Sequence, residues 1–472
     1  MASLSFLLAG NPTTGEDTFR VFNPYTQAVI REVYRPSRVH VASAIEALAA
    51  VQPKLRDALP TYKRVSILER IAEQIAAHAD ELAQLIVSES GKPLQYAQAE
   101  VARGAQTFSF AANALQADRG EVLPLDVKPG LTGKLGLVSR VPAGPVLAIT
   151  PFNFPLNLVA HKVAPAIMAG NGLLLKPASA TPLTALRLAD FVLEAGWPPE
   201  ALSVLPLKGR ATAPAVEDER LKVLSFTGGD GLGWDLKRLA GKKKVLLELG
   251  GDAAVIVAAD ADLDLAAKAC AVGAFAYAGQ VCISVQRIVV EQAVADAFRE
   301  KFLAVVADIP VGDPQDPATV CGPMIDANEL ERLQGWIEEA QQAGAICLRA
   351  GEAIGQNVLT PTVLEAVPGG VRLAHDEAFG PVVHLQVVPT FGAAIAAVNK
   401  SRFGLQAGVF TRDEAMVKQA FRELEVGGVV VNQGTHFRVD HMPYGGVKDS
   451  GFGREGVGYA YEEMTEPRLL VW

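Results

Sequence analysis

The sequence predicts an α/β protein with two doubly wound, Rossmann-like domains, and three observations predict it. From Val141 short apolar runs alternate with amphipathic stretches: VLAIT before residues 156–169, GLLLKP before 181–194, then SVLPL, then KVLSF before 232–239. Strand, loop and helix in that order are the texture of βαβ units. A second series opens near Gly251 with AAVIV, a helical stretch over 263–278, QRIVV and another helix over 293–307, and runs to about Gln433. Long apolar runs such as 141–149 are bounded by Pro and Gly, which suits strands covered on both faces.

Taken in order, the first residues, MASLSFLLAG, carry one short apolar run and no basic segment, so neither a secretory nor a mitochondrial leader is expected. Between Val39 and Leu115 apolar residues recur at helical spacing, as in Ile67, Leu68, Ile71 and Ile75 and again in Leu82, Leu85 and Ile86. Gly91 followed by Pro93 stops one of these helices. Residues 121–140 alternate and are broken by Pro129-Gly130 and Thr132-Gly133, the pattern of a hairpin leaving the main body. The last residues, TEPRLLVW, read as a short strand whose unpaired edge calls for a partner, such as another subunit.

The 472 residues suggest about three domains. Half are hydrophobic and 20% are charged, enough for large cores and the wrong balance for disorder. A net charge of -9 has the wrong sign for a nucleic-acid surface. No run of about twenty apolar residues suggests a membrane span. Four cysteines, all in the second half, are too few for a disulfide framework and point to a reducing compartment.

Four constellations carry possible chemistry. In GQVCIS, Cys282 follows a probable helix; free Cys is often plain core packing, but the turn at Gly279-Gln280 also suits a nucleophile whose backbone N–H faces an oxyanion. In LELGG, Glu248 ends an apolar strand, either at the sheet's solvent end or as a buried carboxyl tuned for general-base work. In TPFNFP, two prolines bracket Asn153 just after a strand, where ligands collect, as a turn residue or as a donor to developing negative charge. FTGGDGLG lacks the G-x-G-x-x-G fingerprint yet opens a helix N-terminus after a strand, which suits a phosphate. Lys176 ends another apolar strand, where it meets a ribose or phosphate or simply reaches solvent.

Together TPFNFP, KPAS, FTGG, LELGG, GQVCIS, EAFGP and PYGGVKDSG, in that order, resemble the aldehyde dehydrogenase superfamily along nearly the whole chain. The stretches PFNFPLNLVAHKVAPA and FRVDHMPYGGVKDSG most resemble its branch acting on lactaldehyde, glyceraldehyde 3-phosphate without phosphorylation, and phosphonoacetaldehyde. The resemblance implies a cofactor-binding domain (1–120 and 141–250), a catalytic domain (251–433) and a small β oligomerisation domain (121–140 and 454–472). It further implies a cytoplasmic homodimer or homotetramer that takes NAD or NADP and a small-molecule aldehyde, with no metal.

On this resemblance Cys282 attacks the aldehyde, Asn153 and the Cys282 N–H hold the oxyanion, and Glu248 activates the water that cleaves the thioester. Lys176 and Glu377 anchor the cofactor's riboses, Gly228 and Gly233 admit its pyrophosphate, Phe379 packs near the nicotinamide, and Thr150, Pro151, Phe152 and Leu249 line its path. Arg103, His161 and Arg438 are the positions expected to bind an anionic substrate. Two departures stand out. Gly229 replaces a common Ser and offers no hydroxyl, and Ser179 replaces a Glu that often favours NAD, which leaves NADP open. CoA-acylating relatives usually lack the Glu of LELGG, so its presence favours hydrolysis. The competing readings are a neutral semialdehyde or aliphatic aldehyde as substrate, a thiol hydrolase or acyltransferase, and a non-enzymatic nucleotide-binding protein.

Overall fold

The computed structural model describes residues 3–472; the first two residues of the N-terminal run lie outside them. Strands Val146–Ile149, Leu173–Lys176, Leu202–Val204, Val223–Thr227 and Lys244–Glu248 form the parallel centre of an eight-stranded sheet. From Val146–Ile149 the chain adds two strands on one side, then returns to place Val223–Thr227 on the other. That reversal opens a crevice at the strands' carboxyl ends. The loops TPFNFP and FTGG leave those two strands, so both motifs stand at the crevice.

The second series forms a seven-stranded sheet in the order Ile346–Arg349, Thr362–Glu365, Val382–Val388, Arg287–Glu291, Ala254–Val257, Gln406–Phe410 and Gly428–Val431, all parallel except the first. The continuous apolar runs are explained by helices on both faces: Val255 and Ile288 pack with helix Leu263–Phe275, and Ala254 and Ile256 pack on the opposite face with helix Phe391–Asn399.

Helices Arg38–Ala58, Thr61–Ala77, Ala79–Ser90 and Leu94–Ala117 occupy the predicted helical region. Ile67, Leu68, Ile71 and Ile75 all face the core, as their spacing requires. Gly91 ends its helix in the left-handed conformation at φ 68°.

The hairpin pairs Glu121–Pro124 with Leu135–Pro142, and the terminal strand Thr465–Val471 lies antiparallel along the other side of Leu135–Pro142. The terminal strand therefore joins the hairpin in one three-stranded sheet. Its outer edge stays open.

The expected partition of the chain also needs revision. Gly451–Phe452 returns to the first sheet beside Lys244–Glu248. Val457, Ala460, Tyr461 and Met464 bury into the core formed by the N-terminal helices, so only 465–471 of the segment 454–472 joins the small sheet. Residues 6–13 add two antiparallel strands to the first sheet, and Thr18–Phe22 pairs with Val29–Tyr34. Phe6–Leu8 and Asn11–Thr13, at three residues each, are too short to announce themselves by periodicity. All four cysteines are free thiols, and among the described residues no helix is long and apolar enough to cross a membrane.

Candidate active site

Helix Leu263–Phe275 stops short of the expected 278 because Tyr277, Ala278 and Gly279 adopt φ of 54°, 53° and 67° in succession. This left-handed run turns the chain toward the crevice and presents Cys282. A β-carbon on Gly279 would stand 2.3 Å from the Gly380 carbonyl oxygen, so only glycine fits. Gln280, fully buried, locks the loop: its amide donates to the Pro323 carbonyl (3.0 Å) and accepts from the Ile325 N–H (2.9 Å). The Gln280 carbonyl accepts from Asn153 Nδ2 at 2.9 Å, which joins TPFNFP to GQVCIS. One Asn153 amide hydrogen is thereby committed and the other is left over.

The LELGG glycines have a steric reason as well. A β-carbon on Gly250 would lie 2.5 Å from the Glu377 carboxylate, and one on Gly251 would lie 2.5 Å from the Cys282 carbonyl. The Gly251 N–H donates to Glu377 Oε1 at 3.0 Å.

Cys282 lies on the wall between two cavities. The larger, about 410 Å³, is lined by Phe152, Gly229, Glu248, Arg332, Glu377 and Phe379 among others. The smaller, about 220 Å³, has apolar walls including Phe154, Val281 and Ile283, with Arg103, Arg438 and Tyr444 as polar lining. Asn153 and Glu248 face the larger cavity, so the structure brings the three expected catalytic side chains to one point.

Glu248 is 2% exposed, and among the described residues its carboxylate oxygens meet no donor closely, its weak interaction with Cys282 apart. Burial raises its pKa well above the usual carboxylate range, and the nearby Glu455 charge adds to this, against the pull of Arg438 and Lys162. The Cys282 thiol is likewise pushed up, by burial and then by Glu248, while its hydrogen bond with Tyr444 works the other way. Cys282 Sγ and Tyr444 Oη stand 3.0 Å apart. Burial also pushes Glu377 up to about 8.

Behind the smaller cavity the three expected anion-binding residues converge on Asp440, a residue that sequence reasoning missed. Arg103 grips it with two hydrogen bonds of 3.0 and 2.7 Å, Asn157 donates at 3.0 Å, and His161 Nε2 lies 2.8 Å away. Burial opposes the Asp440 charge, but the bonds from His161 and Arg103 hold its carboxyl far below the usual range. Arg438 and Lys162 both bind Glu455, at 3.0 and 3.2 Å. Three cations thus share two carboxylates. His161 does not reach the cavity: it is 1% exposed, stands behind the wall holding Asp440, and has its pKa lowered by burial and by Arg438.

Of the expected cofactor residues, Pro151, Phe152, Gly228, Gly229, Leu249, Glu377 and Phe379 line the larger cavity, and Phe152 meets Phe379 edge-on at 5.8 Å. Thr150, Lys176, Ser179 and Gly233 lie outside it. Lys176 ends its strand with its pKa lowered by burial to about 8, and the Ser179 hydroxyl donates to the Leu207 carbonyl at 3.1 Å. Gly229 begins helix Asp230–Leu239 with open space over its Cα. Gly233 has a packing reason, since a β-carbon there would strike Leu249 at 2.3 Å. Arg332 and Trp336, on helix Ala327–Gln342, also line the cavity; an amphipathic helix gave no signal for them.

The aldehyde dehydrogenase family model matches residues 11–470. The 3-sulfolactaldehyde dehydrogenase of Priestia megaterium is 40% identical over 463 residues, 98% of this chain and 96% of its own. Aldehyde dehydrogenase 21 from Physcomitrella patens, solved with the reaction product succinate, superposes with a TM-score of 0.95 at 39% identity, over 100% of this chain and 98% of its own. The glyceraldehyde-3-phosphate dehydrogenase of Methanocaldococcus jannaschii, solved with NADP, gives 0.92 at 38% identity, over 97% of this chain and 99% of its own.

Proposed function

The chain belongs to the aldehyde dehydrogenase family and is an NAD(P)-dependent aldehyde dehydrogenase; on that premise we propose that it oxidises a small, polar, anionic aldehyde to the free acid through a thioester on Cys282. The observation that carries the reading is the position of Cys282 between two cavities, one suited to a dinucleotide and one backed by an excess of cationic charge. The larger cavity fits the cofactor. Gly229 leaves the start of its helix open, and glycine at 250 leaves room for the Glu377 carboxylate against the backbone.

In this mechanism the Cys282 thiol gives up its proton to solvent and Sγ adds to the carbonyl carbon: the C–S bond forms as the C=O π pair moves to oxygen. The spare Asn153 amide hydrogen and the Cys282 N–H, which makes no backbone hydrogen bond among the described residues, receive that oxyanion. When bound, the nicotinamide supplies the acceptor for the aldehyde hydrogen as hydride. Glu248, in its ionised form, takes a proton from the water that attacks the thioester and returns it to the departing Cys282 sulfur, which releases the acid and the thiol.

An anionic substrate is supported by the three cations that share Asp440 and Glu455, and by relatives whose names carry a sulfonate or whose bound product is a dicarboxylate. The pairing of Arg103 and Arg438 favours the second reading, a neutral aldehyde. Assay of matched charged and neutral aldehydes with NAD and NADP separately decides between them. A kcat/KM higher for the charged member supports the proposal, and parity or the reverse preference assigns a neutral substrate.

The chain assembles as a homo-oligomer through the three-stranded sheet in this reading, because Leu137, Leu469, Leu470 and Trp472 are exposed there beside an open strand edge. Its four free thiols suit a reducing cytoplasmic setting.

A further inference from the structure

The turn Ser90-Gly91-Lys92-Pro93 is remote from Cys282 along the chain, yet it touches both loops that meet there. Lys92 is 1% exposed, and its ammonium is paired with the buried Glu100 carboxylate. It stands 3.5 Å from the centre of the Phe154 ring and 4.8 Å from that of Tyr277. Phe154 directly follows Asn153. Tyr277 opens the left-handed run that leads to Cys282; its hydroxyl donates to the Ser90 carbonyl at 3.1 Å, and its own carbonyl accepts from the Gln280 N–H at 3.1 Å. Glu100 in turn accepts from the N–H groups of Leu156 and Asn157, at 2.9 and 3.0 Å, where helix Asn157–Ala169 begins. Burial lowers the Lys92 pKa to about 8 against the pull of Glu100, so the ammonium is charged at neutral pH.

We propose that Lys92 is a positioning residue that holds the Asn153 amide in register with the Cys282 N–H, so that both donors reach one oxyanion. This goes beyond the proposed function and rests on its assignment of Cys282 and Asn153. The two donors belong to different sheets: Asn153 follows Val146–Ile149 of the first, and Cys282 precedes Arg287–Glu291 of the second. The hydrogen bond from Asn153 Nδ2 to the Gln280 carbonyl joins the loops at a single point, about which they can pivot. A buried cation shared by Phe154 and Tyr277 adds a second point, and ammonium–ring attraction strengthens where water is excluded. Glu100 orients that ammonium and fixes the backbone just after Phe154. Such register matters because a misplacement of about 1 Å can cost about 10²-fold in rate.

The test is a double-mutant cycle read in single-turnover reduction of the cofactor, with enzyme in excess over aldehyde. Lys92→Met keeps most of the side chain's length and removes its charge. It slows this step about tenfold in the wild-type background and less than about twofold in Asn153→Ala, because a donor already absent cannot be misplaced. Affinity for the reduced cofactor, read by its fluorescence, is unchanged, since Lys92 lines the smaller cavity and not the larger. Equal slowing in both backgrounds, no slowing by Lys92→Met, or a loss of cofactor affinity as large as the loss of rate overturns the proposal. Lys92→Met leaves Glu100 buried without its cation. If that variant does not fold, Lys92→Met/Glu100→Gln takes its place, in which the Gln oxygen can still accept from Leu156 and Asn157; the same cycle is expected, and additivity overturns the proposal. An Asn153→Ala enzyme as fast as the wild type overturns the oxyanion assignment itself, and the proposal with it.

Discussion

Replacing Glu248 by Gln keeps the shape of the side chain and removes its acid–base function, and the structure fixes two consequences. The first is kinetic. Glu248 acts on water after the aldehyde hydrogen has left, so Glu248→Gln retains a burst of reduced cofactor approaching one per active subunit, while steady turnover falls by about 10² to 10⁴, the usual contribution of a general base. Stopped-flow absorbance separates the two phases. The second is thermodynamic. In the folded chain burial raises the Glu248 pKa from 4.5, so between that value and the raised one the native state holds a proton the unfolded state has released. Wild-type stability therefore declines as pH rises through this window, by up to about 1.4 kcal/mol per pH unit from this group. The Gln variant lacks that decline and gains on the wild type as pH rises from 5 to 8 in denaturant titrations. Loss of the burst would refute the order of steps, and a stability difference independent of pH would refute the buried, protonated carboxyl.

Other substitutions follow from the same geometry. Arg103→Ala or Arg438→Ala raises KM for an anionic aldehyde about tenfold or more and for a neutral analogue only slightly, because a charge-assisted bond is lost only with the former; equal effects show that the arginines serve the Asp440 and Glu455 network alone. Ser179→Glu places a carboxylate where the hydroxyl now meets the Leu207 carbonyl, and kcat/KM with NADP falls at least tenfold relative to NAD by charge repulsion. An enzyme that does not accept NADP to begin with removes the basis for this expectation. Leu470→Lys, at a position 53% exposed on the small sheet, shifts the particle mass measured by light scattering toward the single subunit; an unchanged mass places the interface elsewhere.

The parts of the fold legible in sequence were those where one local pattern dictates one structure. Repeated strand-to-helix units gave both sheets, and the loops leaving Val146–Ile149 and Val223–Thr227 were marked by Pro and Gly at the point where the strand order reverses. Glu248 was nameable because it puts a carboxyl into an apolar strand, Asn153 because two prolines bracket it just after one, and Cys282 because the Gly279-Gln280 turn precedes it. Asp440 was not, although it organises the cationic wall, because its partners Arg103 and His161 are 337 and 279 residues away along the chain. The return of Gly451–Phe452 to the first sheet was hidden for a different reason: two residues show no periodicity. Tyr444 was read only as part of PYGG, since nothing local shows that its hydroxyl meets Cys282. The packing of Leu249 against the helix of Gly233, which leaves no room for a side chain there, was not legible in the FTGGDGLG motif.

The central claim is that the substrate carbon becomes bonded to Cys282. The most direct measurement mixes Glu248→Gln enzyme with aldehyde and NAD or NADP, quenches in acid within the burst, and maps the peptides by mass spectrometry. The account predicts the acyl mass of the substrate on the peptide containing Cys282, and its disappearance in Cys282→Ala. Burst-level reduced cofactor with no acyl group on Cys282, or with the acyl group on another residue, would contradict it.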